Sequence, residues 1–234
     1  MNVIVCLHAP PPDAGGRVEL GRDDALALAQ VLSLAATGAP VRVTALLAGG
    51  ATDTAPLQRA HAAGADRAVR HAGEDLGSAD FHTLGQVLAG GIKRLGADLV
   101  LTGMRSDDEG LGAVPASTAR QLGFVHVSAV EELRIGDAAA GGASVEVVVR
   151  GGGRKRRLRI SLPAVLSVTA GPRPPAAPPE RTGNPSDVEV LSLADPERTV
   201  VRRRTEFLGQ PETPSRGTET VTSAAALIAA LTRA

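Results

Sequence analysis

The chain reads as an α/β protein with a doubly wound, mainly parallel sheet, and three observations predict it. Short apolar, β-branched runs recur through residues 1–170, segments with helical spacing separate them, and the connections are brief. Such runs suit strands buried on both faces, and right-handed crossovers then put helices on both sides of the sheet. With 234 residues and 43% hydrophobic content, the chain can fill one good core and still carry an appendage.

Residues 3–7 (VIVCL) form the first strand. After a Pro/Gly loop, Asp23 and Asp24 open a helix that runs through Ala36, since acids in a first turn meet the positive end of the macrodipole, and Gly38 ends it. Residues 41–48 (VRVTALLA) make the second strand. A helix beginning near residue 54 closes at Gly64, and a strand follows around Arg67 to Arg70. Residues 79–95 give a third helix and 97–102 the next strand. Residues 99–123, LVLTGMRSDDEGLGAVPASTARQLG, pass from a strand through acids and glycines into a helix.

Beyond Gly123 the alternation changes. Residues 145–149 and 158–162 flank RGGGRKRR, and glycines between β-prone runs signal a hairpin insertion. Residues 162–169 (LPAVLSVT) return to the core as a last buried strand. GPRPPAAPPERTGNP, residues 171–185, is too rich in Pro for a helix or central strand and reads as an extended linker. A short apolar run, VEVLSL, follows, and the closing ETVTSAAALIAALTRA places Leu227, Ile228 and Leu231 on one helical face. The expected organisation is an α/β nucleotide-binding domain over 1–170 and a Pro-rich linker with an extended C-terminal arm and terminal helix over 171–234. Such an arm packs either on a partner or back on its own domain.

Composition removes several function classes. Formal charge is zero and Phe81, Phe124 and Phe207 are the only aromatic residues, which argues against nucleic acid and membrane surfaces and against base stacking. Arginines cluster at Arg154, Arg156, Arg157 and Arg159 and at Arg202 to Arg204; an acidic partner could use them, although a solvated strand face is commoner. Cys6 is alone, so neither a disulfide framework nor a thiolate metal site is expected. MNVIVCLHAPPP lacks the features of a signal peptide and no run reaches membrane-spanning length, so a cytoplasmic location is expected.

Catalytic groupings are sparse. His8, His61, His71, His82 and His126 lack metal-ligand spacing, and the pairs Asp107/Asp108 and Glu131/Glu132 are sequence neighbours that cannot face each other as acid and base. No catalytic or metal residue is therefore assigned. His8 stands at the C-terminal end of the first strand, where α/β ligands bind, but a loop-capping or solvated role is the ordinary alternative. The segment GMRSDDEGLGAVPAST offers backbone N–H groups at a helix N-terminus, a natural place for an anion. It is neither a Walker loop nor a dinucleotide fingerprint, and acids before a helix are also ordinary capping chemistry.

In order, these pieces resemble the β subunit of the electron-transfer flavoproteins. His8 to Asp13 stands where that family has a Lys-x-Val-Pro-Asp type of loop, and Asp23 to Leu34 is similar to its Ala/Leu-rich helix with an acidic start. Gly64-Ala65-Asp66-Arg67, the acidic Gly loop within residues 99–123, and Leu162-Pro163-Ala164-Val165 resemble its later segments. The resemblance implies a Rossmann-like domain that buries AMP as a structural nucleotide. It also implies an alpha subunit that holds most of the FAD contacts, in a heterodimer that accepts electrons from dehydrogenases and passes them on.

The resemblance places AMP in the loop Gly103 to Val114, which contains Arg105. Backbone N–H groups from Gly110 through Gly112, Ala113 and Val114 would face the phosphate, while Asp107 and Asp108 cap the helix or meet the ribose. Cys6 and Leu7 on the first strand, Gly21, Asp23 and Asp24 at the first helix, and Asp53 after the second strand complete the implied contacts. The phosphate loop, Asp108-Glu109-Gly110-Leu111-Gly112-Ala113, has one acid and two side-chain donors fewer than the family pattern, and Gly21 replaces a common Asn. RPPAAPPERTG stands in place of the family's dehydrogenase-docking segment, which implies a donor other than the usual acyl-CoA dehydrogenases. Two competing readings remain, a stand-alone, homo-oligomeric adenine-nucleotide sensor and an ATP-dependent ligase or hydrolase. The latter lacks a Ser-Gly-Gly-x-Asp type of pyrophosphate loop, since Ala9 to Asp13 is Pro-rich and offers few N–H donors.

Overall fold

The computed structural model describes residues 1–9, 20–50, 54–72, 76, 79–106, 110–136, 143–171, 188–192 and 223. In chain order the elements are β1 (Asn2–Leu7), α1 (Arg22–Ala36), β2 (Arg42–Gly49), α2 (Ala55–Ala63), β3 (Arg67–Ala72), α3 (Phe81–Leu95) and β4 (Leu99–Gly103). They continue with α4 (Val114–Leu122), β5 (Val125–Ile135), β6 (Ser144–Gly151), β7 (Arg154–Ser161), β8 (Ala164–Val168) and β9 (Val188–Ser192). The strands make one sheet in the order β7-β6-β5-β8-β4-β1-β2-β3-β9, parallel from β5 to β9, with β6 and β7 added as an antiparallel hairpin. This is the doubly wound α/β fold expected from the alternating pattern.

β1 shows how both faces are buried. Val3, Val5 and Leu7 pack with Leu28 and Val31 of α1 and Leu57 of α2, while Ile4 and Cys6 pack with Leu88 and Ile92 of α3 and Ala119 of α4. Each such buried aliphatic side chain contributes about 1.5–3 kcal/mol relative to exposure. Successive strands β1, β2 and β3 step outward in one direction, and the chain then crosses back to place β4 on the other side of β1. That reversal opens a crevice beyond the C-terminal ends of β1 and β4.

The Gly-Ala-Asp segment occurs twice, each time where a helix returns to a strand. Gly64 and Gly96 are the C-caps of α2 and α3, both with positive φ, and the aspartates that follow each hold a neighbouring strand. Asp66 Oδ2 accepts from Val43 N at 2.8 Å and Asp98 Oδ2 from Asn2 N at 2.7 Å. The segment that contributes to the family resemblance at Gly64 therefore has a structural role, ending a helix and setting a strand's height.

β5 was not expected. Its alternation is broken by a bulge, where Ala129 takes φ 58° and the register shifts against both β8 and β6. The bulge brings Glu131, 3% exposed, under the hairpin, where its carboxylate pairs with Arg150 and with Lys155 Nζ at 3.4 Å, while its carbonyl accepts from Gln30 Nε2 at 2.6 Å. The Arg150 hydrogen bond, with Lys155 and the charge of both cations, holds Glu131 below the usual carboxylate range against the opposing effect of burial. At the other edge, residues 188–192 of the run VEVLSL form strand β9, parallel to β3 and fastened by Arg67 to Glu189 at 2.7 Å, while residues 172–185 of the Pro-rich segment expected as a linker lie outside the described residues. The terminal amphipathic segment lies outside the described residues.

His71 of β3 is fully buried, and neither ring nitrogen has a hydrogen-bond partner among the described residues. Gly91 of α3 makes room for the ring, since a β-carbon there would come within 2.8 Å of His71 Cδ2. Burial, and secondarily the charge of Arg94, lower its pKa, so the ring is neutral in the fold. The native pKa lies below the unfolded value of about 6.5, so above that pH both states are neutral and nothing is lost; as pH falls below it the unfolded chain binds the proton first. Stability should therefore fall as pH drops from about 6.5 towards 5, before most carboxylates titrate. Denaturant melts of the wild type and His71→Leu across this range should show a smaller slope in the variant, with the residual from His126, which burial also lowers. Equal slopes would show that His71 does not titrate on unfolding.

Candidate functional site

The crevice at the strand reversal is a cleft of about 180 Å³. Its floor is the ends of β1, β2 and β4, with Cys6, Leu7, Ala48 and Thr102; one wall is α3, with Leu84 and Leu88; the other is the segment from Gly103 into α4. Burial, reinforced by the nearby charge of Asp24, pushes the Cys6 thiol up to about 12. A thiol held protonated is an apolar wall and not a nucleophile.

Asp24 sets the geometry. It lies in the first turn of α1, 9% exposed, and its two carboxylate oxygens accept from the ends of two neighbouring strands, Oδ2 from His8 N at 2.7 Å and Oδ1 from Gly103 N at 3.0 Å. Gly103 is required here because a β-carbon would run into that carboxylate. Hence Asp24 borders the cleft with its oxygens engaged by the protein backbone.

The opposite wall depends on two glycines. Gly110 and Gly112 both take φ 63°, and a β-carbon on Gly112 would lie 2.8 Å from Met104 O, so the loop presses directly on the end of β4. Gly110 N donates to Ser106 Oγ at 3.3 Å. The chain then enters α4 through Ala113, with no side-chain cap, no acid in the first turn and Pro115 near its start. α4 starts at Val114 with Ala113 as its N-cap, and Asp107 and Asp108, expected to cap this helix or to meet the ribose, lie outside the described residues. Among the described residues no side chain caps this helix start, whose N–H groups and positive dipole end border the cleft, and Arg105, exposed on the rim, adds a full positive charge.

Of the residues anticipated from sequence, the structure gathers Cys6, Leu7, Asp24, Gly103, Arg105, Gly112, Ala113 and Val114 around one cleft. Gly21 is the N-cap of α1 and Asp23 lies in its first turn, both outside the lining, and Gly110 shapes the loop from behind. Asp53, Asp107, Asp108 and the Pro-rich loop after Ala9 lie outside the described residues. His8 lines the cleft half-buried, with its backbone N–H given to Asp24. Sequence reasoning missed the α3 wall and Thr102, because nothing in an amphipathic pattern says which end of a helix overhangs a crevice. Among the described residues no helix is long and apolar enough to cross a membrane, and no group of three His, Cys, Asp or Glu side chains could hold a metal.

Asp24→Ala should strand two backbone donors, and at about 1–3 kcal/mol for each unsatisfied group the loss should be about 2–5 kcal/mol. Asp24→Asn, with one accepting oxygen left, should lose roughly half as much. Urea unfolding of the three proteins checks the order; equal stability of Asp24→Ala and wild type would remove this brace from the account.

The family model for the electron transfer flavoprotein domain matches residues 15–196. The electron transfer flavoprotein subunit beta of Methylophilus methylotrophus is 30% identical over 144 residues, 59% of this chain and 53% of that protein. The subunit beta of Clostridium acetobutylicum is 31% identical over 149 residues, 58% of this chain and 57% of that protein. That of Mycobacterium bovis is 31% identical over 166 residues, 69% of this chain and 60% of that protein. The chain thus spans little more than half the length of these relatives. With a doubly wound sheet, a cleft at its strand reversal and a family match over most of its length, the chain belongs to the electron transfer flavoprotein beta-subunit family, as a divergent member.

Proposed function

We propose that this chain is the beta subunit of a heterodimeric electron-transfer flavoprotein, passing electrons from a flavin-linked dehydrogenase to a downstream acceptor. The observation that carries the reading is the cleft at the β1/β4 reversal in a chain of this family. The residues fit an adenine nucleotide such as AMP. The α4 N-terminus and Arg105 meet a phosphate, and Cys6, Leu7, Leu84 and Leu88 offer an apolar bed for a base. FAD would supply the redox chemistry and would be held mostly by an alpha subunit, since among the described residues the cleft offers no aromatic ring beyond Phe81 at the rim.

The chain's own residues then bind and orient. Asp24 fixes the ends of β1 and β4, Gly112 lets the loop close on Met104, and the apolar floor keeps water from the bound nucleotide. No side chain is assigned a proton-transfer step. The electron donor is proposed to be a dehydrogenase other than the usual acyl-CoA dehydrogenases, because RPPAAPPERTG replaces the docking segment of the family.

A tagged chain purified from its host should bring down a larger partner in equal amount, with the visible absorption of a flavin. A colourless homo-oligomer carrying only a nucleotide would overturn the proposal in favour of a nucleotide-binding sensor. Nucleotide released on denaturation should be an adenosine phosphate, and Arg105→Ala should weaken its binding by about tenfold, the loss expected for one charge-assisted hydrogen bond. Gly112→Ala should weaken it further, because the backbone strain and the contact with Met104 O both move the loop.

A further inference from the structure

We propose that the open edge of β7 is a docking site for an acidic, extended segment of another protein, added to the sheet as a further strand. The inference begins with how the cations of the hairpin are used. Arg150 and Lys155 are engaged by the buried carboxylate of Glu131, and Arg159 pairs with Glu146 across the β6–β7 ladder at 3.0 Å. Arg154, Arg156 and Arg157 are exposed and have no carboxylate partner among the described residues. The hairpin thus neutralises the cations that hold it together and leaves three others facing outward.

The backbone supplies the second half of the site. β7 is the last strand in the sheet order, eight residues long and bonded to β6 on one side; among the described residues no strand pairs with its other side, which presents a row of N–H and C=O groups. Exposed edges of this length invite another strand, and the side chains decide which. A second copy of this chain fits badly, because two β7 strands paired edge to edge would set cations against cations. An acidic strand fits on both faces, since side chains alternate along β7. Arg154 and Arg156 border a recess with Ser128 and Ala129 of β5, while Arg157 stands on the opposite face beside Lys155. Leu158 and Ile160 follow, so the added strand would be acidic beside the hairpin turn and apolar further along.

The edge is also held ready. Glu131 clamps one residue from each strand of the hairpin, directly across the ladder at Arg150 and Lys155. Docking therefore needs little reordering of the receiving strand, which favours a specific complex over loose counter-ion attraction.

The test uses the full chain and a labelled peptide of Glu-Glu-Val repeats as probe, with two controls. One control keeps the charge but carries Pro at alternate positions, which prevents ladder formation; the other is a single-stranded oligonucleotide of matched charge. The Glu-Glu-Val peptide is expected to bind, to slow hydrogen exchange at the alternate β7 amides that point away from β6, and to weaken as salt rises. Reversing these three arginines together (R154E, R156E and R157E) should weaken binding by about tenfold or more, since opposed charges become like charges. The exchange measurement on the unaltered chain does not depend on that variant folding. Absence of binding, unchanged β7 exchange, or equal binding of the proline peptide or the oligonucleotide would each overturn the proposal.

Discussion

Two backbone N–H groups at the ends of adjacent strands, those of His8 and Gly103, converge on the carboxylate of Asp24, and the cleft takes its shape from that convergence. β1 and β4 flank the point where the strand order reverses, so no helix crosses directly over their C-terminal ends. Something must satisfy the donors there, and α1 does so with a side chain from its first turn. The same acid complements the dipole of its own helix, so one residue positions three elements. A carboxylate repels other anions, so in the proposed site the Asp24 side would not take a ligand's phosphate.

The facing wall is built on the opposite principle. α4 begins after Ala113 without a side-chain cap and with Pro115 in its first turn, and among the described residues no acid stands at its positive end, which borders the cleft. The two walls thus differ in charge, with the Asp24 carboxylate engaged on one side and, on the other, backbone N–H groups of the α4 start and the Arg105 cation, which have no acidic partner among the described residues. On the proposed reading, a nucleotide's phosphate would turn towards the α4 wall.

Away from the cleft, the sheet handles charge by the same logic of engaged and free groups. Glu131 is buried because a bulge rotates β5 beneath the hairpin, and Arg150 and Lys155 keep it ionised there. Their side chains stay half-exposed, so the pair avoids the full desolvation cost of two buried ions. The arginines left over lie on β7, one of the sheet's two edge strands among the described residues, where repulsion also discourages pairing with itself.

By itself the sequence determined the fold class and most elements, because burial on both faces imposes continuous apolar runs, as in VIVCL and VLT, and because Gly64, Gly96 and Gly123 mark helix ends that need positive φ. The family resemblance, rather than any local pattern, raised residues 103–114 as the expected nucleotide loop, and Gly103, Arg105, Gly112, Ala113 and Val114 of it line the cleft. Only the tertiary structure decided the rest. β5 was illegible since the bulge at Ala129 shifts its alternation by one residue, so VHVSAVEELRI matches neither the strand nor the helix period. β9 became a strand because β3 offers it an open edge, a fact that lies more than a hundred residues away in sequence. Asp24 looked like an ordinary first-turn acid, and its role as a brace follows from the two N–H groups that the reversal of strand order brings to it. Local patterns record which face of an element is buried; which polar groups meet is settled by the packing of distant segments.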